Sequence, residues 1–175
     1  MKFISLLKGI NVGGHKKILM TDLKVLMQKA GATEIQTYIQ SGNIIYDGGR
    51  LSADKWSKRI QEAIQEDFGF DVPIITLTQK DFLEAIELQP FDSEIERLHA
   101  SFLSETPHKA GIEKLKELDT QKEEWEIIDK VFYLKCTGKY SDSKLTNGVI
   151  ESKLKLQSTT RNWKTVSAIQ KLVTA

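Results

Sequence analysis

The sequence predicts an α+β protein with two ferredoxin-like halves, of which the second lacks its last strand and ends in helices. Over residues 1–77, segments with strand and helix patterns follow one another as β-α-β-β-α-β, which is the order of a split βαβ unit. Over residues 97–136 the order β-α-β-β recurs. We therefore expect one subdomain over residues 1–90, which includes a following helix, and a second over residues 91–175, which includes two terminal helices.

A glycine-rich loop separates the first predicted strand from the first helix. Residues 3–7 form an apolar run that is typical of a strand buried on both faces. The loop over residues 9–18 contains three glycines and the basic residues His15, Lys16 and Lys17. A helix should follow, with its N-terminal cap near Thr21 and its C-terminal cap at Gly31.

A hairpin is predicted around a Ser-Gly-Asn sequence. Residues 37–46 carry β-branched and aromatic side chains on both sides of Ser41, as strands prefer. Gly42 and Asn43 suit the positive φ angles of a two-residue loop. The polar side chains of Gln40, Ser41 and Asn43 crowd the tip of this hairpin, which is more than a turn requires.

Further helices and strands are predicted on both sides of a linker over residues 90–96. Ser52 should cap a helix that buries Trp56 and stops at Gly69, and residues 72–77 suit a fourth strand. Thr78 and Asp81 predict the start of another helix, which must end before a proline. The second half should contain a strand over residues 98–103, a helix from Thr106 to about Leu118, a hairpin over residues 125–128 and 131–136, and helices over residues 145–156 and 162–173.

The composition argues against several functional classes. With 25 Lys and Arg against 24 Asp and Glu the net charge is +1, so a broad footprint for duplex DNA is not expected. Cys136 is the only cysteine, which excludes an internal disulfide and favours a buried structural role. Residues 3–7 are too short for a secretory signal, and no apolar stretch has the length of a membrane span. We expect a cytoplasmic protein that binds neither duplex DNA nor a membrane; the oligomeric state is left open.

Three motifs support a family resemblance. Residues 7–14, 37–46 and 159–166 closely resemble, in order and across nearly the whole chain, the bacterial family called domain of unknown function 1697. Lys8 stands where the family usually has arginine, so a bidentate anion contact would be replaced by a point charge. Gln89 stands where the family favours asparagine. The resemblance implies the fold and the motif positions, and it implies no particular activity.

Topology should bring two of these motifs together. In a split βαβ unit the first strand ends at the sheet edge where the second strand turns into the third, so Asn11 should lie close to Asn43. Glycines would let backbone N–H groups approach a ligand, and the next helix N-terminus favours an anion. The alternative is that the glycines merely permit a tight loop and that both asparagines satisfy backbone groups. The candidate ligand-binding residues here are Lys8, Gly9, Asn11, Gly13, Gly14, Gln40, Ser41, Gly42 and Asn43.

A second polar cluster occupies residues 159–163, at the predicted start of the last helix. Thr160 or Asn162 would cap this helix, and Trp163 would pack it on the core. A cap does not require Arg161, whereas a planar guanidinium suits phosphate or carboxylate recognition. Arg161 and Asn162 therefore join the candidate ligand-binding residues. A weaker polar group is formed by Ser141, Ser143 and Lys144.

The sequence shows no catalytic or metal signature. His15, His99 and His108 lack metal-ligand spacing, and we find no nucleophile elbow. We predict no metal and no cofactor, and we assign no catalytic residue. The favoured function is binding of a small anionic ligand, phosphorylated or carboxylated. The alternatives are a single-stranded RNA-binding module on a ferredoxin-like sheet and an interaction or scaffold protein without a ligand.

Overall fold

The computed structural model describes residues 1–120 and 122–175. Within these residues it shows a mixed α/β fold with two four-stranded antiparallel sheets and six α-helices. The chain forms two compact units, one of Met1–Glu84 with Ile169–Ala175 and one of Ala85–Ala168. None of the described helices is both long and apolar enough to cross a membrane.

The first unit contains one sheet with strand order β2-β3-β1-β4. The central strand β1 pairs with β3 in the register Phe3 to Tyr46, which confirms the predicted neighbourhood of the two strands. The elements of this unit are β1 (Lys2–Leu7), α1 (Met20–Lys29), β2 (Thr33–Tyr38), β3 (Asn43–Asp47), α2 (Ala53–Phe68), β4 (Ile74–Thr78) and the start of α3 (Gln79–Glu87).

The core of the first unit forms where one face of the sheet meets α1 and α2. Phe3 and Leu7 of β1 lie in this cluster with Trp56 of α2. Because side chains alternate along a strand, Ile4 and Leu6 face the opposite side, and they too are fully buried. Both faces of β1 are therefore inaccessible to solvent, as the apolar run in the sequence predicted.

Trp56 lies at the centre of this core. Its side chain is only 1% exposed and packs edge-on against the ring of Tyr46, with 4.9 Å between ring centroids. The indole Nε1 donates a hydrogen bond of 3.0 Å to the carbonyl of Gly48. The predicted cap also forms, because the Ser52 side chain accepts from the Lys55 amide. The prediction that Trp56 faces the core is confirmed.

The second unit contains a sheet with strand order β6-β7-β5-β8. The last strand, β8, pairs with β5 from His99 opposite Asn162 to Leu103 opposite Ser158. The prediction that the second half lacks its last strand is therefore wrong. The elements are β5 (Leu98–Leu103), α4 (Lys109–Lys116), β6 (Glu124–Ile128), β7 (Val131–Lys135), α5 (Asn147–Leu154), β8 (Ser158–Asn162) and α6 (Trp163–Thr174), of which α6 ends in the first unit.

The two sheets repeat one buried polar contact. Ser5 in β1 lies 2.8 Å from the hydroxyl of Thr76 in β4. Ser101 in β5 lies 2.7 Å from the hydroxyl of Thr160 in β8. The first pair joins β1 to the edge strand β4, and the second joins β5 to β8, which is the equivalent edge strand of the other sheet. The repeat predicted from element order thus extends to hydrogen bonds at matching positions.

Two helix boundaries differ from the predictions because the predicted caps are not used. Helix α1 begins after Leu19, which makes no side-chain cap, so Thr21 lies inside the helix. Helix α4 begins after His108 rather than at Thr106. In contrast, the Thr78 hydroxyl accepts from the Asp81 amide at 3.1 Å, which confirms that predicted helix start.

The hairpin between β2 and β3 has a longer loop than predicted. Tyr38 pairs with Asn43, so Asn43 belongs to β3 and the connection spans the four residues 39–42. Positive φ angles occur at Ile39 (49°) and Gly42 (86°). The prediction of a two-residue Gly-Asn loop was wrong, because Asn43 adopts the strand conformation.

Candidate functional site

The glycine-rich loop and the hairpin loop meet at one end of the first sheet. The Leu7 amide donates to the Gly42 carbonyl at 2.8 Å. The Asn11 side-chain amide donates to the Gln40 carbonyl at 2.8 Å. These two bonds join residues that are distant in sequence, and they give the adjacency expected from the topology.

The tip of the glycine-rich loop is a tight turn over residues 12–15. The His15 amide donates to the Val12 carbonyl at 3.0 Å. Gly13 and Gly14 both have positive φ angles, 58° and 76°, which is the pattern of a type I′ turn. Glycine adopts this conformation without strain. The two glycines are therefore required by the shape of the turn, which we call the glycine turn.

Asn11 fixes the base of the glycine turn. Its Nδ2 donates to the Ile18 carbonyl at 3.0 Å in addition to Gln40. Its Oδ1 accepts from the Ile18 amide at 2.9 Å. Both amide hydrogens and one oxygen lone pair are therefore used on backbone groups. This is the role that the structural alternative assigned to Asn11.

Asn43 has a similar role inside the hairpin. It is fully buried, and its Nδ2 donates to the Tyr38 carbonyl at 2.9 Å and to the Ser41 hydroxyl at 3.1 Å. The side chain thus closes the hairpin loop from within. A direct contact between Asn43 and a ligand remains a prediction.

The other side of the glycine-rich loop is held by the segment before β4. The Lys8 amide donates to the Pro73 carbonyl at 3.0 Å, and the Lys16 ammonium donates to the Asp71 carbonyl. Gln61 of α2 in turn donates to the Asp71 carboxylate at 2.6 Å. The loop is therefore anchored on both sides, which orders its backbone before any ligand arrives.

The glycine turn itself is open to solvent. Gly13, Gly14, His15 and Lys17 are all exposed. The amide N–H groups of Gly13 and Gly14 donate to no group in the described part of the chain. Among the described residues Lys17 has no ion-pair partner. Sequence reasoning noted the charge of Lys17 without assigning it to the site; its position beside the glycines was the available signal.

Arg161 and Asn162 lie in the second unit, on the edge strand β8. Arg161 is 8% exposed, and its Nη1 donates to the Thr159 hydroxyl at 2.8 Å and to the Thr160 carbonyl at 3.0 Å. Burial lowers the pKa of Arg161 to about 10. Asn162 Oδ1 accepts from the Thr165 amide at 2.8 Å, so Asn162 caps α6, as one of the two alternatives predicted. Ligand contacts by these residues remain predictions.

The comparisons with known proteins cover the first unit and much of the second. The family described as Protein of unknown function (DUF1697) matches residues 1–133. The chain belongs to this family. A solved structure described as a conserved bacterial protein, SP0830 from Streptococcus pneumoniae, is similar to the chain at 22% identity and a TM-score of 0.77, covering 98% of each chain. None of the curated proteins compared with the chain matches it significantly.

The DUF1697 chain also brings together a cysteine and a histidine that the sequence separates. Cys136 Sγ lies 3.7 Å from His99 Nδ1. Burial raises the pKa of the Cys136 thiol to about 11 and lowers the pKa of His99. Both groups are therefore neutral near pH 7, whereas a nucleophilic cysteine requires a thiolate. The His99 ring stacks on Tyr140, and Cys136 is buried in the core of the second unit, as its predicted structural role implies.

A metal site is not indicated among the described residues of the DUF1697 chain. No group of three or more His, Cys, Asp or Glu side chains is arranged to hold a metal ion among residues 1–120 and 122–175. Ser143, from the weaker polar group, accepts from the Leu145 amide and donates to Glu123, both at 2.9 Å. Its hydroxyl thus organises its own loop. The glycine turn remains the strongest candidate site.

Gly42 is expected to be essential for joining the two loops. An added Cβ would lie 2.7 Å from Leu7 Cβ and 2.8 Å from Ile10 Cδ1. We expect Gly42→Ala to lower the free energy of unfolding by about 2 kcal/mol, from the left-handed φ and the steric overlap together. Gly49→Ala is the matched control, since Gly49 has φ 63° but open space around it. Urea denaturation in which both variants lose the same stability would contradict the steric argument.

Proposed function

We propose that the first unit binds a small anionic ligand, phosphorylated or carboxylated, at the glycine turn. The observation that carries the proposal is that the N–H groups of the exposed residues Gly13 and Gly14 donate to no group among the described residues, on a loop anchored at both sides. Such donors suit an anion because they stabilise negative charge without a titrating proton. An ordered loop also loses little conformational entropy when it binds.

The charges around the glycine turn favour an anion. Residues 1–21 contain no Asp or Glu, and neither do residues 35–46. Lys17 and His15 are exposed beside the turn. Lys8, in the position where the family usually has arginine, follows β1 at the base of the loop. We expect the local potential to be positive although the whole chain carries a net charge of only +1.

Two observations disfavour the RNA-binding alternative. Residues on both faces of β1 are buried, so the first sheet offers no open platform on which bases could stack. Residues 8–19 and 39–42 contain no Phe, Trp or Tyr, so the loops do not supply a stacking surface either.

Ligand-dependent thermal stability tests the proposal. The wild type would be heated alone and with inorganic phosphate, sugar phosphates, nucleotides, dicarboxylates and polyphosphate. A ligand at a hundred times its dissociation constant should stabilise the wild type by about 2.7 kcal/mol. Lys17→Gln should fold normally and show a much smaller response, because it removes an exposed charge with no partner among the described residues.

The matched control is Lys55→Gln, at the exposed start of α2. It removes the same charge from the same unit at a site outside both loops, so it should respond as the wild type does. An equal loss of response in both variants would indicate a general charge effect. A wild type that responds to none of these anions would contradict the proposal.

We also propose that both units are ferredoxin-like and that the protein is cytoplasmic. The strand order β2-β3-β1-β4 supports a ferredoxin-like assignment for the first unit, and the order β6-β7-β5-β8 supports one for the second. The single unpaired cysteine supports a cytoplasmic location.

A further inference from the structure

Exposed apolar side chains gather on the two loops of the candidate site. Val12, Leu19 and Ile39 are 63%, 67% and 48% exposed. Asn11 joins their segments, because it bonds the Gln40 carbonyl on one side and the Ile18 backbone on the other. We call Val12, Leu19 and Ile39 the apolar tip. It accounts for three of the seven large hydrophobic side chains that are exposed in the described part of the chain.

Ile39 occupies a backbone conformation that its side chain disfavours. Its φ angle is 49°, in the left-handed region where a β-branched residue is an outlier. Asparagine or glycine would adopt this angle at less cost. The exposed side chain regains little by burial within the chain. An isoleucine at this position therefore costs stability and presents an apolar group to solvent.

The apolar tip lies on loops that carry basic residues and no acidic residue. Lys17 and His15 are exposed beside it. An ion pair on an open surface contributes modestly to affinity, so apolar contacts would add to the affinity of an anion bound here. Burial of exposed apolar area against the same partner is a further favourable contribution. The surface is therefore suited to a partner that combines negative charge with apolar groups.

We propose that the anion bound at the glycine turn is carried by a protein partner, in a segment where acidic side chains alternate with apolar ones. This inference rests on the proposed function of the same turn. The carboxylates of the segment face the Gly13 and Gly14 amides and Lys17, and its apolar side chains contact Val12 and Ile39. Neither loop contains Phe, Trp or Tyr, which argues against stacked bases and against anchoring in a lipid interface.

Three short capped peptides of equal length test the inference. The first alternates Glu with Leu, the second replaces Glu by Gln, and the third replaces Leu by Ser. Binding would be followed by the amide chemical shifts of Gly13 and Gly14 and by calorimetry. The first peptide should bind at least tenfold more tightly than either control. Equal affinity for all three peptides, or tighter binding to anionic vesicles or to an RNA oligonucleotide, would overturn the inference.

Variants separate this inference from the proposed function. Val12→Ser combined with Ile39→Asn should lose at least tenfold in affinity for the Glu-Leu peptide while keeping its response to inorganic phosphate or polyphosphate. Lys17→Gln should weaken both. Leu88→Ser, which alters an exposed apolar residue outside the two loops, is the matched control and should change neither. If the double variant binds the peptide as the wild type does, the partner assignment fails and the anion site stands.

Protein stability provides a check on these variants. Ile39→Asn alone should melt at the same temperature as the wild type or higher, because asparagine tolerates the left-handed φ. Loss of peptide affinity in a variant that is at least as stable cannot be attributed to unfolding. A lower melting temperature for Ile39→Asn would show that Ile39 is held by packing, which would overturn its assignment to the binding surface.

Discussion

Trp56→Ala is expected to lower the free energy of unfolding by about 3–5 kcal/mol, as for a large aromatic side chain lost from a packed core. The indole projects from α2 and is almost completely buried against strands β1 and β3. Its loss would leave a cavity beside Tyr46 and remove the hydrogen bond to the Gly48 carbonyl. The free energy would be measured by urea denaturation followed by circular dichroism.

Trp56→Phe is the matched control because it keeps an aromatic ring and removes the Nε1 donor. Its expected loss is smaller, about 1–3 kcal/mol, mainly from the unpaired carbonyl of Gly48. A loss below about 1 kcal/mol for the alanine variant would be incompatible with a core position. Equal losses in both variants would mean that the hydrogen bond, rather than the ring, stabilises this part of the unit.

The position of Trp56 could be predicted because its helix has a regular apolar pattern. Trp56, Ile60 and Ile64 recur at helical spacing and are the buried residues of α2. Strand β1 was predictable for a related reason, since a short apolar run bounded by glycine is typical of a central strand. Periodicity is informative where an element buries apolar side chains against a core.

Strand β8 was not predicted because its inward side chains are polar. Ser158 donates to Asn147 Oδ1 at 2.7 Å, and the Thr160 hydroxyl donates to the same oxygen at 2.9 Å. A strand whose buried and half-buried side chains are polar and bond to a neighbouring helix carries no alternation of apolar and polar residues. Its five residues could therefore be mistaken for the cap of the helix that follows.

The hairpin and the candidate site show a second limit of prediction from sequence. Gly42 was correctly expected to have a positive φ, but Ile39 was not, because β-branched residues seldom adopt that region. Asn11 was recognised as a candidate residue of the loop, whereas its hydrogen-bond partners, which lie 7 and 29 residues away, were not predicted. Topology predicts which loops meet, and side-chain contacts decide whether a polar residue faces the chain or remains available to a ligand.

Arg161→Lys is expected to lower the free energy of unfolding by about 3 kcal/mol although it conserves the charge. A guanidinium distributes its charge over five N–H donors, whereas an ammonium is a compact charge that is more strongly hydrated and costs more to bury. Arg161 Nη1 donates to both the Thr159 hydroxyl and the Thr160 carbonyl, and an ammonium on the shorter, unbranched lysine side chain is not expected to keep both bonds. Hydrogen bonds to charged groups contribute about 1.5–3 kcal/mol each, so the loss of one such contact and the added desolvation account for this effect.

The pH dependence of the Arg161→Lys variant gives an independent test. Burial should lower the pKa of the introduced lysine below its unfolded value of about 10.4. Between those two pKa values the folded variant binds fewer protons than the unfolded one, so its stability rises with pH. Arg161 has a pKa of about 10 in the wild type and stays charged up to about pH 9. The deficit in the free energy of unfolding of the variant relative to the wild type should therefore narrow between pH 7 and 9.

The matched control is Arg97→Lys, which changes an exposed arginine of the same unit. It should change stability by less than about 0.5 kcal/mol at every pH. A deficit that is small at pH 7 or constant up to pH 9 would mean that the side chain at this position reaches solvent, and the polar cluster of β8 would then be open to a ligand.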